Sequence, residues 1–441
     1  MSSTPLVIVQ GFLGTAEIIS WGRHINTFGQ ESLARRKILL PNLGPVSSLH
    51  DRACELYYSL AGGTVDYGKE HSSAHNHARY GRTFPVGLYP PWSKEHPLHF
   101  VGHSVGGPTV IKLQYLLQEG HFGKEGHPEM VLSLNAVCSP FRGTQLVYTL
   151  GEEATAAPDV RPFSLGALLA KFIHLAAYLS PLLPSVLDMH ADARALSYRE
   201  SSLISFGKQL WSSDWAASTD AVPYDMTFEA SDIREIKHGE GRPHQNTFYR
   251  SHVSCMLCYH HEPPLRISSI THILLYFWSQ SIGSFDYRSL KPAPSFLGNF
   301  KHANPMNMHQ KSIVLVNPLG EEHWANDGVV PVFSQWHPLP CGGCTYPHPY
   351  YSCPPHLYSA TTCSHDRSMS EPSSLEIPLR NASCYLEAQL ISGCWVVRTM
   401  DGSNHLSLIP RVWGENTYQR DFWVELGQWL DAVDKHVNIC R

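Results

Sequence analysis

The chain has 441 residues, 43% of them hydrophobic, with a formal net charge of −5 and no long run of like charge. That length and apolar content suffice for one large α/β unit or two smaller ones and exclude wholesale disorder. The weakly acidic balance argues against nucleic acid as the main partner. Histidine is abundant at 27, which directs attention to metal ligation, and the odd count of 11 cysteines fits mostly reduced thiols.

Met1–Thr4 runs straight into the apolar Leu6–Val9, with no basic segment or long apolar stretch ahead of it. The expectation is a cytoplasmic chain; the alternative is secretion by a non-standard route or a processed form. Leu6–Gln10 reads as a buried strand ending at Gly11-Phe12-Leu13-Gly14, and Ile38–Leu40 as a second, closed by Pro41. Ser48 is placed to cap a helix to Leu60, with Leu49, Ala53, Leu56 and Leu60 on one face and Gly62-Gly63 as its stop. Residues 65–97, rich in His, Gly and Pro, read as an irregular excursion. Leu98–Val101 and Met130–Val137 are two further strands.

Leu165–Leu183 is almost wholly apolar but carries Lys171 and His174 near its middle. A central lysine costs about 2.5–3.5 kcal/mol on membrane-insertion scales. Lys171, His174 and Tyr178 share one narrow stripe, so the segment reads as an amphipathic helix with a wide apolar face and not as a transmembrane span. Ile313–Val316 reads as another buried strand, followed by the loop Asn326-Asp327-Gly328. Residues 337–394 hold Cys341, Cys344, Cys353, Cys363, Cys384 and Cys394 among many Pro, Tyr and Ser, and read as an insertion. Strands alternating with helices imply a mostly parallel sheet with helices on both faces.

Gly102-His103-Ser104-Val105-Gly106 carries the most chemistry. It is a G-x-S-x-G pentad between a strand and a helix with apolar Val110, Ile111, Leu113, Leu116 and Leu117. A sharp strand–turn–helix corner holds a serine hydroxyl clear of the sheet edge, where it can attack a carbonyl. Such a serine needs a histidine to take its proton and a carboxylate to orient that histidine, in the chain order Ser, acid, His. For the acid, Asp327, Glu321 and Glu322 all remain open on position alone. With so many histidines, chemistry alone does not select the base.

Several segments together resemble one family. Gly44-Pro45-Val46-Ser47-Ser48, Asp51-Arg52-Ala53-Cys54-Glu55, Gly62–Gly68, His71, His77–Thr83, Gly102–Gly107, Ser218-Thr219-Asp220, Tyr224-Asp225 and Asn326–Val330 look like the thermoalkalophilic, zinc-containing bacterial lipases and their staphylococcal relatives. The likeness spans most of residues 5–335 and resumes around 393–410. It implies an α/β-hydrolase fold with a helical lid at about 160–200 and a zinc-tethered excursion, in one domain.

The resemblance also assigns roles. It selects Asp327 as the acid and His405, in Asn404-His405-Leu406, as the base beside Ser104. It places an oxyanion hole on the backbone N–H groups of Phe12 and Val105, with Gln10 where the family usually has His. Asp51, His71, His77 and Asp220 fall on its structural zinc positions, with Asp225 a competitor for the fourth. Two imidazoles and two carboxylates complete a tetrahedral set with no position left for water. The family's calcium site is expected to be lost, because Ser407 replaces its first acidic ligand and Ile409–Val412 offers no carboxylate. A second zinc in the Cys341-x-x-Cys344 region fits no common finger spacing, and Cys255-x-x-Cys258 reads as buried strand and not as a redox motif.

The resulting expectation is a triacylglycerol lipase or carboxylic ester hydrolase that meets lipid at a lipid–water interface through its lid. A short-chain esterase or acyl-thioester hydrolase is the alternative within enzymes. A catalytically silent binding fold is the alternative outside them.

Overall fold

The computed structural model describes residues 3–14, 36–184, 187–256, 270–298, 321–338, 357–359, 363–364, 390–401, 403–409 and 417–440. Ten strands are assigned among them. They are β1 (Leu6–Val9), β2 (Ile38–Leu39), β3 (Gly63–Asp66), β4 (Tyr80–Phe84), β5 (Leu98–His103), β6 (Val131–Val137), β7 (Phe248–Cys255), β8 (Leu357–Ser359), β9 (Cys363–Ser364) and β10 (Cys394–Asp401). The main helices are α1 (Leu49–Ala61), α2 (Gly106–Gln118), α3 (Leu165–Leu179), α4 (Leu203–Trp211), α5 (Ile270–Gly283) and α6 (Thr417–Cys440).

Eight strands form one sheet in the order β2-β1-β5-β6-β7-β10-β8-β9. The pairings from β2 through β10 are all parallel, and β8 and β9 add an antiparallel edge. Period-two alternation sends Val7 and Val9 to one face, with Leu56, Leu60, Val110 and Leu113 of α1 and α2. It sends Leu6 and Ile8 to the other, against Phe422, Trp423, Leu426, Trp429, Leu430 and Val433 of α6. Burial on both faces explains why β1 reads as a continuous apolar run and why β5 and β6 are buried throughout.

Local signals set the helix ends near the sequence. Ser48 Oγ accepts the Asp51 N–H at 3.2 Å to cap α1, and Gly62, at φ 93°, donates its N–H to the Tyr58 carbonyl at 2.8 Å. Buried charge locks α6 in place. Arg36 bonds Asp431 and Asp434 at 2.8 and 2.9 Å, and Arg250 bonds Glu425 at 2.6 Å.

Three expectations change. The stretch 65–97 is more regular than its composition suggests: β3 and β4 pair as a two-stranded antiparallel sheet around the short helix Lys69–Ala74. Part of the Cys-rich insertion extends the main sheet as β8 and β9; Cys341, Cys344, Cys353 and Cys384 lie outside the described residues, as does Ile313–Val316. Cys255 closes the buried strand β7 as expected, yet it is disulfide-bonded, while Cys54, Cys138 and Cys394 are free.

Leu165–Leu182 is long and apolar enough to cross a membrane by length and composition alone. In the structure α3 lies on the body of the protein. Ala170, Ile173, Ala176 and Ala177 pack against Val46, Met189, Trp215 and Ala216. These small side chains allow close approach, so the larger ones turn outward. Leu165, Leu168, Phe172 and Leu175 face solvent beside Lys171. The expected polar stripe therefore breaks up: His174 is buried and bonds Ser213 Oγ at 2.7 Å, and Tyr178 stacks on Phe206 at 4.2 Å.

Candidate active site

Ser104 sits where β5 turns into α2, at the carboxyl end of a central parallel strand. Its φ of 54° lies in the left-handed region, a strained setting for a non-glycine residue. The turn holds because its neighbours are glycines. A Cβ on Gly106 would lie 2.1 Å from the Val9 carbonyl oxygen, and one on Gly102 would lie 2.5 Å from the Gly107 nitrogen. The Ser104 N–H is fixed by the Val137 carbonyl at 2.9 Å.

His405 and Asp327 complete a hydrogen-bonded line with it. His405 Nε2 lies 3.0 Å from Ser104 Oγ, and His405 Nδ1 lies 2.8 Å from Asp327 Oδ2. Asp327 is fully buried, and its other oxygen accepts the N–H groups of Val329 and Val330 at 2.9 and 2.7 Å. The His405 N–H returns to the Asp327 carbonyl at 2.9 Å. The three residues that the sequence reading assigned are thus brought together from positions far apart in the chain. The side chains of Glu321 and Glu322 lie outside the described residues.

His103 is an addition that the pentad did not announce. Its Nε2 lies 2.9 Å from the His405 carbonyl oxygen, so that nitrogen must donate. Burial, then the neighbouring His405, lowers its pKa to about 3, which keeps the ring neutral. Cys138 also borders the site and bonds Ser254 Oγ at 3.1 Å.

Above Ser104 is an apolar cavity of about 120 Å³. Phe12 and Val105 line it beside the serine, as do Leu169 of α3 and Trp215. Glu152 lines it as well. That carboxyl is buried, its Oε1 makes no hydrogen bond, and burial, with Asp159 nearby, pushes its pKa up to about 8. Nothing in the sequence pattern marked Glu152, because its burial depends on the Glu152–Val160 bridge. Gln10, at the entry to the Phe12 loop, is buried with neither side-chain amide atom hydrogen-bonded.

A second constellation joins the excursion to the segment near 220. Asp51, His71, His77 and Asp220 place one donor atom each within 4.8 Å of one another. His71 Nε2 lies 3.2 Å from both Asp51 Oδ1 and Asp220 Oδ1, and His77 Nε2 lies 3.5 Å from Asp220 Oδ2. Ligands on one tetrahedral zinc are spaced by about 3.3 Å when each bond is about 2.0–2.1 Å. His77 Nδ1 bonds the Ala78 carbonyl at 2.8 Å, leaving a buried Nε2 with no hydrogen bond. That is the tautomer a metal requires. Without a metal, burial lowers the His71 pKa but the Asp220 and Asp51 carboxylates more than offset this, raising it to about 9. Arg194, which the sequence did not single out, clamps Asp220 and lies 3.3 Å from Asp51 Oδ2. Asp225 is elsewhere, accepting the Leu49 N–H at 2.7 Å and pairing with Arg234 at 3.2 Å.

Residues 2–234, just over half of the chain, match the family model described as "Lipase-like, C-terminal domain". The chain belongs to that family. Among curated proteins, this lipase-like chain is 30% identical to a lipase of Staphylococcus hyicus over 258 residues, covering 52% of this chain and 37% of that protein. It is 33% identical to a lipase of Staphylococcus epidermidis over 177 residues, 35% of this chain and 26% of that one. The chain therefore spans well under half the length of these relatives. Its fold is similar to the crystal structure of Staphylococcus hyicus lipase, with a TM-score of 0.64 at 23% identity, covering 98% of this chain and 96% of that one. Lipase 1 of Pelosinus fermentans follows at 0.58 and 22% identity, covering 97% and 99%. These likenesses, with the mostly parallel sheet, make the fold of the α/β-hydrolase type.

Proposed function

We propose that this lipase-like chain is a serine carboxylester hydrolase, a triacylglycerol lipase, working through an acyl-enzyme. The observation that carries this reading is the Ser104–His405–Asp327 hydrogen-bond line at the floor of an apolar cavity. The relatives named as lipases support the substrate class. Ser104 Oγ attacks the ester carbonyl as His405 Nε2 takes its proton. His405 then returns that proton to the leaving alcohol, and water repeats the cycle to free the acid. Asp327, positioned by two backbone N–H groups, fixes the His405 tautomer and stabilises the imidazolium. The N–H groups of Phe12 and Val105 receive the developing oxyanion.

Asp51, His71, His77 and Asp220 would hold one zinc. With four protein donors it has no open position, so its role is to tie the β3–β4 excursion to the segment near 220. The fit rests on the donor spacing and on the unbonded His77 Nε2. The α3 stripe of Leu165, Leu168, Phe172 and Leu175 is read as the face that meets a lipid surface, with Leu169 beneath it over the serine. The chain is expected to act where it can reach that surface.

The test is an acyl-chain series of esters, from soluble to emulsified, on the full chain and on Ser104→Ala. Turnover of long-chain esters that rises past their solubility limit and vanishes in Ser104→Ala is the expected result. A flat response across that limit would reduce the reading to esterase. Near-normal turnover in Ser104→Ala would end the serine mechanism.

A further inference from the structure

Beside the Asp51–His71–His77–Asp220 cluster lies a second group of donors, formed by His50, Cys54 and His121. One ring nitrogen of each histidine and the Cys54 sulfur lie within 4.8 Å of one another. The placement follows from the helices. His50 and Cys54 are four residues apart on α1 and so share one stripe, while Asp51 is turned about 100° away toward the other cluster. His121 follows the end of α2, where its N–H is pinned to the Leu116 carbonyl at 3.0 Å. The two clusters touch, because the His50 ring stacks on His71 with centroids 3.7 Å apart.

We propose that His50, Cys54 and His121 form a second metal site, with a thiolate in its ligand set, that takes a soft or borderline divalent cation such as zinc. Spacing is the first reason. Cys54 Sγ lies 3.7 Å from His121 Nε2. Two ligands on one tetrahedral zinc, with Zn–S near 2.3 Å and Zn–N near 2.0–2.1 Å, are separated by about 3.5 Å. Donor chemistry is the second. Nitrogen and thiolate sulfur select zinc and other thiophilic metals over magnesium or calcium.

The surroundings are the third reason. His50 Nε2 lies 2.8 Å from the Tyr67 carbonyl and donates to it, the backbone bond that commonly fixes a ligating imidazole through its other nitrogen. Cys54 is fully buried, whereas His50 and His121 are half-buried and leave a way in for the cation.

The proton balance is simple. Binding releases the Cys54 thiol proton to solvent. His121 gives up its long 3.3 Å contact with the Asp66 carbonyl and carries its proton on Nδ1, freeing the Nε2 lone pair. The thiolate cancels one of the two metal charges. The site does not depend on the hydrolase reading, since none of its residues touches Ser104.

Cobalt(II) is the probe. Chelator-stripped full-length protein is titrated with cobalt, and bound metal per chain is measured together with the near-ultraviolet thiolate-to-cobalt band. Two cobalt per chain and a thiolate band are expected for the wild type. Cys54→Ser should bind one and lose the band. His77→Ala should also bind one yet keep the band, which separates this site from its neighbour. His121→Ala, at a half-buried position where folding is less at risk, should weaken band formation by at least about tenfold. A band that survives in Cys54→Ser, or a wild type that binds one cobalt with no band, would overturn the proposal.

Discussion

The floor and the roof of the cavity are built on opposite rules. The floor joins Ser104 at the end of β5 to two loop residues, and each carboxylate oxygen of Asp327 has a partner: two backbone N–H groups on one and His405 on the other. The roof is a helix laid on small side chains, with Leu168 65% and Phe172 52% exposed. Nearby α4 adds the exposed Leu203, Ile204 and Trp211. A buried, saturated hydrogen-bond line keeps one geometry. An apolar stripe in water is in a poor state, and any surface that covers it shifts the balance toward an alternative position. The proposed lipase reading places the chemistry on the buried line and the lipid contact on the exposed stripe.

The largest effect should come from the floor. Ser104→Ala is expected to reduce ester turnover by at least about 10³-fold, and Asp327→Asn by about 10⁴-fold through the wrong His405 tautomer. Melting should barely change in Ser104→Ala. A collapse of stability there would mean that the elbow is an architectural strut and that the lost activity says nothing of chemistry.

The proposed zinc tether between the β3–β4 excursion and the segment near 220 should show next. Stripping zinc, or His77→Ala, should remove about 3–4 kcal/mol of stability at a zinc excess near 10³ times its dissociation constant. A chelator melt paired with metal analysis reads this. Identical melting with and without chelator would show that Arg194 alone holds the two aspartates.

Glu152 sharpens the comparison through pH. Its folded pKa of about 8 lies above the unfolded value of about 4.5, so the folded state holds the extra proton between them. Stability should then fall as pH rises from about 4.5 to 8 and level off above. Glu152→Gln should remove that slope and be more stable above pH 8 by about 1–3 kcal/mol. Parallel slopes of melting temperature against pH in both proteins would contradict the buried carboxyl.

The smallest expected effect belongs to the roof. Leu168→Glu removes about 1–2 kcal/mol of lipid contact. It should lower turnover of emulsified long-chain esters several-fold to about tenfold and leave short soluble esters unchanged. Equal losses on both would make α3 an ordinary part of the body.

How much of this was legible differs along the same line. The sheet strands, the Ser48 cap and the Ser104 elbow rest on local signals, and local signals can be read in order. Asp327 and His405 came from resemblance, because their partnership spans 78 residues and no local pattern encodes it. The packing of α3 could not be read for a related reason. Periodicity reports that a helix has two faces, but which face turns inward depends on the size of what it meets. Here Trp215 and Met189 favour the alanine face. Glu152 and Arg194 gave no signal, since one needs a bridge to bury it and the other needs two distant aspartates.

The packing of α6 sets an order of assembly during synthesis. Among the described residues, Leu6, Ile8, Val101 and Leu132 on one face of the sheet pack against Phe422, Trp423, Trp429 and Val433. At about 5–20 residues per second, β1 leaves the ribosome roughly 20–80 s before its cover does. For that interval Leu6 and Ile8 lack the cover that α6 gives them. A chain that ends short of residue 417 lacks the Phe422, Trp423, Trp429 and Val433 cover of that face.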